Sequence, residues 1–323
     1  MHSRRIGLYG TGRAAARVLD EICASRHRLT AAVAYLDAEA GQDIGTLVGG
    51  SPAGVRTTTD LEAAIGSEAF DVLVYCGLSG PVLDRAIDAC TARGVDLVHA
   101  NFVHPRVVMP AHRFDELNDR ARRTGARIVG TGMLPGFWLD VLPALLTSAL
   151  PGPVSVEGIS RADITSWGPQ VLTDELGIGR SPDAQPDAIS GMLRQSATMI
   201  AEVLRLGSTE ATASGGPITA TEPFEVAGID VPRGACIGFE RSATVSDSGG
   251  ERVRVSWTGL PAGYQQFRSS LTIAATGADG TVIRIDTERP ADPYPGTAAR
   301  LIHAAGAVAK LPGGLHTTIA LPI

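Results

Sequence analysis

The stretch RRIGLYGTGRAAARVL (residues 4–19) decides the fold. A short apolar strand over 4–9 runs into a glycine turn, and a helix over 13–24 follows. The turn is Gly10-Thr11-Gly12-Arg13-Ala14-Ala15, a G-x-G-x-x-A pattern. The first glycine permits a tight turn, the second lets backbone approach a pyrophosphate, and the small third residue lets helix pack on strand. The amides and partial positive charge of the helix N-terminus then face the phosphates. A turn serving packing alone is the other reading. The strand before and helix after, at the head of a strand–helix alternation, favour the dinucleotide.

That alternation continues for 150 residues. Strands are expected at 30–36, 55–59, 71–76, 95–100 and 126–130, and helices at 60–66, 81–93, 109–124 and 136–149. The strands are short and apolar throughout, as a parallel sheet covered on both faces requires. The pattern predicts an α/β fold, a doubly wound Rossmann domain. Asp60 and Pro81 stand at helix starts, and Gly94 and Gly125 at helix ends.

Beyond residue 150 the pattern changes. One helix is expected over 187–206. Extended runs are read at 154–165, 218–228, 235–246, 251–259, 268–276 and 281–287, with 166–186 and 207–217 as loops. These predict a second, α+β domain on an open, mostly antiparallel sheet. A final helix follows Pro295. The expected division is a dinucleotide-binding domain over 1–135, on which the helix 296–311 packs back, and a substrate-binding and dimerisation domain over 136–295.

Composition excludes several classes. A chain of 323 residues suggests two domains. A net charge of −6 argues against nucleic-acid or membrane-surface partners. No apolar run reaches the ~18 residues of a membrane span, and no secretory leader is read. The four cysteines are scattered without a C-x-x-C pair, which fits a reducing cytoplasm and no metal site.

Site candidates follow from the turn. Asp37, after the second strand, is placed to bind the adenosine ribose and repel a 2′-phosphate, which favours NAD. Arg13 lies near enough to meet that phosphate, so NADP stays open. Cys76-Gly77-Leu78-Ser79 should pass beneath the nicotinamide-side ribose, or form a plain loop before the Pro81 helix. Thr131, Gly132, Pro135 and Gly136 follow the sixth strand and are expected to shape the nicotinamide edge of the cofactor site, with Pro135 read beside a helix start.

The block T-G-x-x-P-G-F-x-x-D (131–140), with GQDIGTLVG (41–49), VSVE (154–157), LGIG (176–179) and P-G-T (295–297), resembles the 2,4-diaminopentanoate dehydrogenase family. That family includes amine dehydrogenases and is related to dihydrodipicolinate reductase. The resemblance implies an NAD(P)H-binding Rossmann domain, a C-terminal domain that pairs sheets in a homodimer, and hydride exchange at the C–N bond of a small amine or imine.

One departure matters. Such amine dehydrogenases carry glutamate after strand five, where this chain reads His99-Ala100-Asn101-Phe102-Val103-His104. Asn101 can orient a substrate, and His104 can titrate near neutrality or be a loop histidine. A preformed imine needs less acid–base help than amination from ammonia. Lys310 is the single lysine, which weakens readings built on a catalytic lysine. Arg161 is placed to grip a substrate carboxylate, or to pair with Asp163 or Glu157 on the surface. Trp138, Trp167 and Tyr264 are candidate pocket walls. Asp140 is read inside the 136–149 helix. The rival functions are hydride transfer at a C–OH group and a silent Rossmann scaffold.

Overall fold

The computed structural model describes residues 3–290 and 292–322. The chain divides into two units, Met1–Gly136 with Pro293–Ile323, and Phe137–Asp292.

In the first unit the strands are β1 (Arg5–Tyr9), β2 (Arg28–Val33), β3 (Thr57–Thr58), β4 (Val72–Tyr75), β5 (Asp96–His99) and β6 (Arg127–Gly130). The helices are α1 (Arg13–Ala24), α2 (Ile44–Leu47), α3 (Leu61–Gly66), α4 (Pro81–Arg93), α5 (Pro105–Val108) and α6 (Ala111–Thr124). A last helix, Tyr294–Ala307, and a last strand, Gly314–His316, return to this unit. The sheet is parallel, in the order last strand, β6, β5, β4, β1, β2, β3. The order reverses between β1 and β4, and ligands of such sheets bind beyond the carboxyl ends at that point.

Each central strand is buried on both faces, so each feeds two cores. Ile6, Leu8, Val72 and Val74 pack with α1 and with Leu301 and Ala305 of the last helix. Leu73, Tyr75, Leu97 and Ile128 pack with Leu83, Ile87 and Leu117 on the other side. Asp60 caps α3 by accepting the Ala63 amide at 2.9 Å, and Gly94 and Gly125 end α4 and α6 in the left-handed region.

The second unit holds β7 (Pro153–Asp163), β8 (Thr212–Thr219), β9 (Phe224–Val226), β10 (Ile229–Val231), β11 (Cys236–Asp247), β12 (Gly250–Leu260), β13 (Ser270–Gly277) and β14 (Val282–Thr287), with α7 (Val141–Thr147) and α8 (Ala188–Val203). Its main sheet runs β14-β13-β7-β12-β11-β8, and β7–β12 is the one parallel pair. The two helices cover one face. On β7, Val156, Gly158, Ser160 and Ala162 are buried, and Glu157 and Arg161 point the other way, exposed.

Several expectations need correction. The helix expected over 136–149 begins only at Val141, because residues 134–140 form turns, and Leu134–Pro135 is a cis peptide. Pro135 therefore sits in a turn, away from any helix start. Strand β2 stops at Val33, since Tyr35 and Leu36 are exposed beyond the sheet. Strand β8 occupies half of the loop expected over 207–217.

Candidate functional site

The carboxyl ends of β1, β2, β4, β5 and β6 bring most first-unit candidates together. Gly10 turns with φ +112, and its amide donates to the Val33 carbonyl at 2.9 Å. Gly12 is exposed, and a Cβ there would meet nothing within 4 Å. The helix behind it has no side-chain cap at Gly12 and no acidic residue in its first turn. Its orphan amides and dipole thus point into open space, the arrangement an anion needs. Thr11, Ala14 and Arg13 flank this turn, and the Arg13 guanidinium lies 5.1 Å over the Tyr294 ring.

The carboxylate that reaches the turn is Glu39's. The Thr11 hydroxyl donates to it, with 2.9 Å to Oε2. Asp37 is exposed, at the head of a single 3₁₀ turn that ends on Glu39. Sequence reasoning missed Glu39 because that turn swings the chain back by two residues after β2.

Beyond β4 the reason for Gly77 changes. A Cβ there would sit 2.6 Å from the Tyr75 hydroxyl and 2.7 Å from the Tyr9 ring. These tyrosines stack at 4.5 Å, and the Tyr75 hydroxyl donates to the Leu78 carbonyl at 2.9 Å. The glycine accommodates that stack. The half-buried Cys76 thiol is pushed up to about 12 by burial, so it is uncharged at neutral pH.

Asn101 follows β5. Its Nδ2 donates to the Gly77 carbonyl at 3.1 Å and to the Ser79 hydroxyl at 3.2 Å. Its Oδ1 is buried and accepts from no described residue. The Asn101 amide donates to His99 Nδ1 at 3.3 Å. Full burial holds the His99 imidazole far below its usual range, at about 3, so it is neutral. His104 is also buried, 3% exposed, at the head of α5.

Thr131 is fully buried and committed to structure. Its amide donates to the His99 carbonyl at 2.8 Å, and its hydroxyl accepts from Thr318 at 2.9 Å and from Arg300 at 3.3 Å. Gly136 has φ +126, and a Cβ on it would stand 2.1 Å from the Gly132 nitrogen. A Cβ on Gly132 would meet the Pro135 carbonyl at 3.0 Å and Thr297 Cγ2 at 3.6 Å, and one on Gly296 would meet Met133 Cγ at 2.8 Å. The turn after β6 and the P-G-T start of the last helix are therefore in contact.

In the second unit, Trp167 packs 5.6 Å from Trp257, and Trp138 lies edge-on to Phe137. Arg161 lies on the exposed face, 4.6 Å from the Phe267 ring. Tyr264 is core: its hydroxyl accepts the Thr221 amide at 2.8 Å. Asp140 is fully buried, caps α7 through Val141 at 2.7 Å and accepts from Ser196 at 3.2 Å. Glu175 was not foreseen; burial raises its carboxyl above the usual range, with Asp174 adding to the shift. Among the described residues, no histidine, cysteine and carboxylate group could hold a metal, and no helix is long and apolar enough to cross a membrane.

No protein-family model and no curated protein matches the chain. Solved structures do. The amine dehydrogenase from Mycobacterium smegmatis aligns at TM-score 0.84 and 21% identity, over 100% of this chain and 97% of that one. Dipicolinate-bound dihydrodipicolinate reductase from Paenisporosarcina sp. TG-14 aligns at 0.54 and 15%, over 99% and 100%. Biliverdin reductase from Synechocystis sp. PCC 6803, solved with biliverdin and NADP+, aligns at 0.53 and 12%, over 93% and 90%. The fold is shared with these solved dehydrogenase and reductase structures, and along its full length this chain is similar to an amine dehydrogenase.

Proposed function

We propose that the chain is an NAD(P)-dependent oxidoreductase acting on the C–N bond of a small amine or imine. The observation that carries this is the open glycine turn at the switch point of the sheet, with Gly12 exposed before an uncapped helix. The full-length likeness to an amine dehydrogenase supports the choice of C–N chemistry.

The residues fit the cofactor. Gly10, Gly12 and the amides of α1 would hold the pyrophosphate. Glu39 would accept from the ribose hydroxyls and repel a 2′-phosphate, which favours NAD. Tyr35, Leu36 and Leu78 are exposed apolar side chains beyond β2 and β4, suited to an adenine ring. Gly132, Pro135 and Gly136 would shape the nicotinamide edge. When bound, the nicotinamide supplies or accepts hydride.

Asn101 is the polar group we assign to the substrate. Its Nδ2 is already engaged, so the buried Oδ1, which accepts from no described residue, is the acceptor we assign to an amine or iminium N–H. Holding that nitrogen orients the adjacent carbon for attack. A preformed iminium carries its own proton, so its reduction needs no acid from the protein. This matches a strand-five end without a carboxylate. His104 is the candidate to handle a proton in the reverse direction. The uncovered face of the second unit's sheet supports a homodimer.

The test is titration with NADH and NADPH, read by nicotinamide fluorescence, followed by turnover of cyclic imines. Tight binding of NADH with imine reduction is expected. Failure of both cofactors to bind at millimolar concentration would overturn the reading.

A further inference from the structure

A cavity of about 540 Å³ opens at the outer edge of the first unit's sheet, between α6 and the last strand. Small-molecule sites fall in that size range. Phe114, Asn118 and Arg122 follow one another at intervals of four on α6. They share one face of the helix, each about 6 Å further along its axis. Gly313 and Leu315 belong to the facing wall. The last strand is the outermost of the sheet, and β1 lies four places in. At about 4.8 Å for each strand, the cavity edge stands about 19 Å from β1, well away from the glycine turn.

The polar groups left unpaired along this cavity are donors. Asn118 is 7% exposed. Its Oδ1 accepts the Leu315 amide at 3.1 Å, which fixes the orientation of the side-chain amide. Nδ2 is thereby turned from the strand and donates to no described residue. A buried amide donor is normally paired, so this one calls for an acceptor in the cavity. Arg122, in the last turn of α6, makes no ion pair with a described residue. Gly313 packs against it: a Cβ there would stand 3.3 Å from Arg122 Cα and 2.8 Å from the Ala121 carbonyl. The Gly313 amide also donates to no described residue. The Pro312 carbonyl beside it is taken by His316 Nε2 at 2.8 Å. At the other end, the Arg106 guanidinium lies 4.0 Å over the Phe114 ring and 3.8 Å from Asp115, so its charge is partly answered. The unanswered charge is that of Arg122, and the buried Phe114 and Leu315 supply apolar surface beyond it.

We infer that this cavity binds a small organic phosphate. Arg122, the Gly313 amide and Asn118 Nδ2 receive the phosphate, and Phe114 and Leu315 receive the carbon body. A phosphate group brings three strong acceptor oxygens and close to two negative charges, which suit three donors and one unanswered guanidinium. A carboxylate presents two coplanar oxygens and one charge, a poorer match to donors that converge from a helix face and the loop opposite. The site is separate from the glycine turn, so its ligand is a second molecule, an effector rather than the cofactor. The inference does not depend on the chemistry proposed at that turn.

The experiment is a calorimetric titration of the full chain without cofactor. The probes are phenyl phosphate, phenol, benzoate and inorganic phosphate. Saturable binding of phenyl phosphate is expected, with benzoate and inorganic phosphate each about tenfold weaker or more and phenol silent. Arg122→Met, an exposed change that should leave the fold intact, should weaken phenyl phosphate about tenfold or more. Asn118→Asp keeps the oxygen that accepts from Leu315 and exchanges the donor for a second oxygen, so binding should be lost; if that variant does not fold, Arg122→Met decides. Gly12→Val, which fills the glycine turn, should leave the affinity within about twofold, since distant sites act independently. Benzoate or inorganic phosphate matching phenyl phosphate, an unchanged affinity in Arg122→Met, loss of binding in Gly12→Val, or no saturable heat at millimolar concentration overturns the proposal.

Discussion

Asn101 donates through Nδ2 to the carbonyl of Gly77 at 3.1 Å, tying the loop after β5 to the loop after β4. The bond also fixes which way the amide faces, because only the nitrogen side can meet a carbonyl. Oδ1 is left as the acceptor. Asn101→Ala should lower kcat/KM for an imine about 10- to 100-fold, the loss of one hydrogen bond to a charged group. Asn101→Asp keeps the size and an acceptor but loses the tether. It should reduce activity while NADH affinity changes less than threefold, roughly within the effect of a remote exposed change. Full activity in both variants would remove Asn101 from the substrate.

Two glycines that look alike in sequence should behave in opposite ways. Gly12 has open space for a Cβ, whereas Gly136 has φ +126 and the Gly132 nitrogen 2.1 Å from the added carbon. Gly12→Val should unfold at the parental temperature but bind NADH at least about tenfold more weakly, because the side chain fills the pyrophosphate position. Gly136→Ala should cost about 2–4 kcal/mol of stability from backbone strain and overlap. Thermal melts and NADH titrations of both variants separate the two roles.

The parts legible in sequence were those set by local rules. The glycine turn, the parallel alternation and the antiparallel tail follow from residue spacing, and Gly94 and Gly125 end helices where a left-handed residue was expected. What could not be read depends on where the chain returns. The last strand, Gly314–His316, has three residues and no apolar run, and exists because β6 offers it an edge. Glu39 depends on one 3₁₀ turn. Asn118 meets Leu315 from 197 positions away. Arg161 stands on the exposed face of β7 because a strand's period of two turns it away from the buried Ser160.

Glu39 should set cofactor preference. The Thr11 hydroxyl holds its carboxylate at the mouth of the glycine turn, where a 2′-phosphate would stand. Glu39→Gln removes the charge and keeps the shape. The NADH-to-NADPH affinity ratio should fall about tenfold, as one repulsive contact is removed. Fluorescence titration with both cofactors reads this directly. An unchanged ratio would leave Arg13, stacked on Tyr294, as the selecting residue.

The oligomer prediction rests on the bare face of the second sheet. Ile159 lies in a row with Ser256 and Thr272, away from the buried Ser160 side. A six-stranded sheet with helices on one face leaves the other to water or to a second copy. Light scattering should give twice the mass of one chain. Ile159→Arg should shift the protein to monomer with secondary structure intact, and a monomeric parent would end the dimer reading.

His99 makes stability depend on acid. Its imidazole is fully buried beside Phe102, and its folded value is near 3 against an ordinary 6.5. A folded value below the unfolded one means the unfolded chain binds the extra proton first. Stability is then complete above pH 6.5 and falls as pH drops towards 3. Between pH 6.5 and pH 5 this one group should remove about 2 kcal/mol, or 1.36 kcal/mol for each unit. Denaturant melts across that range should show the slope. His99→Gln keeps an acceptor for the Asn101 amide but cannot titrate, so its melts should lose most of the slope while NADH binding stays near the parental value. A slope that survives in His99→Gln would assign the acid sensitivity to another group.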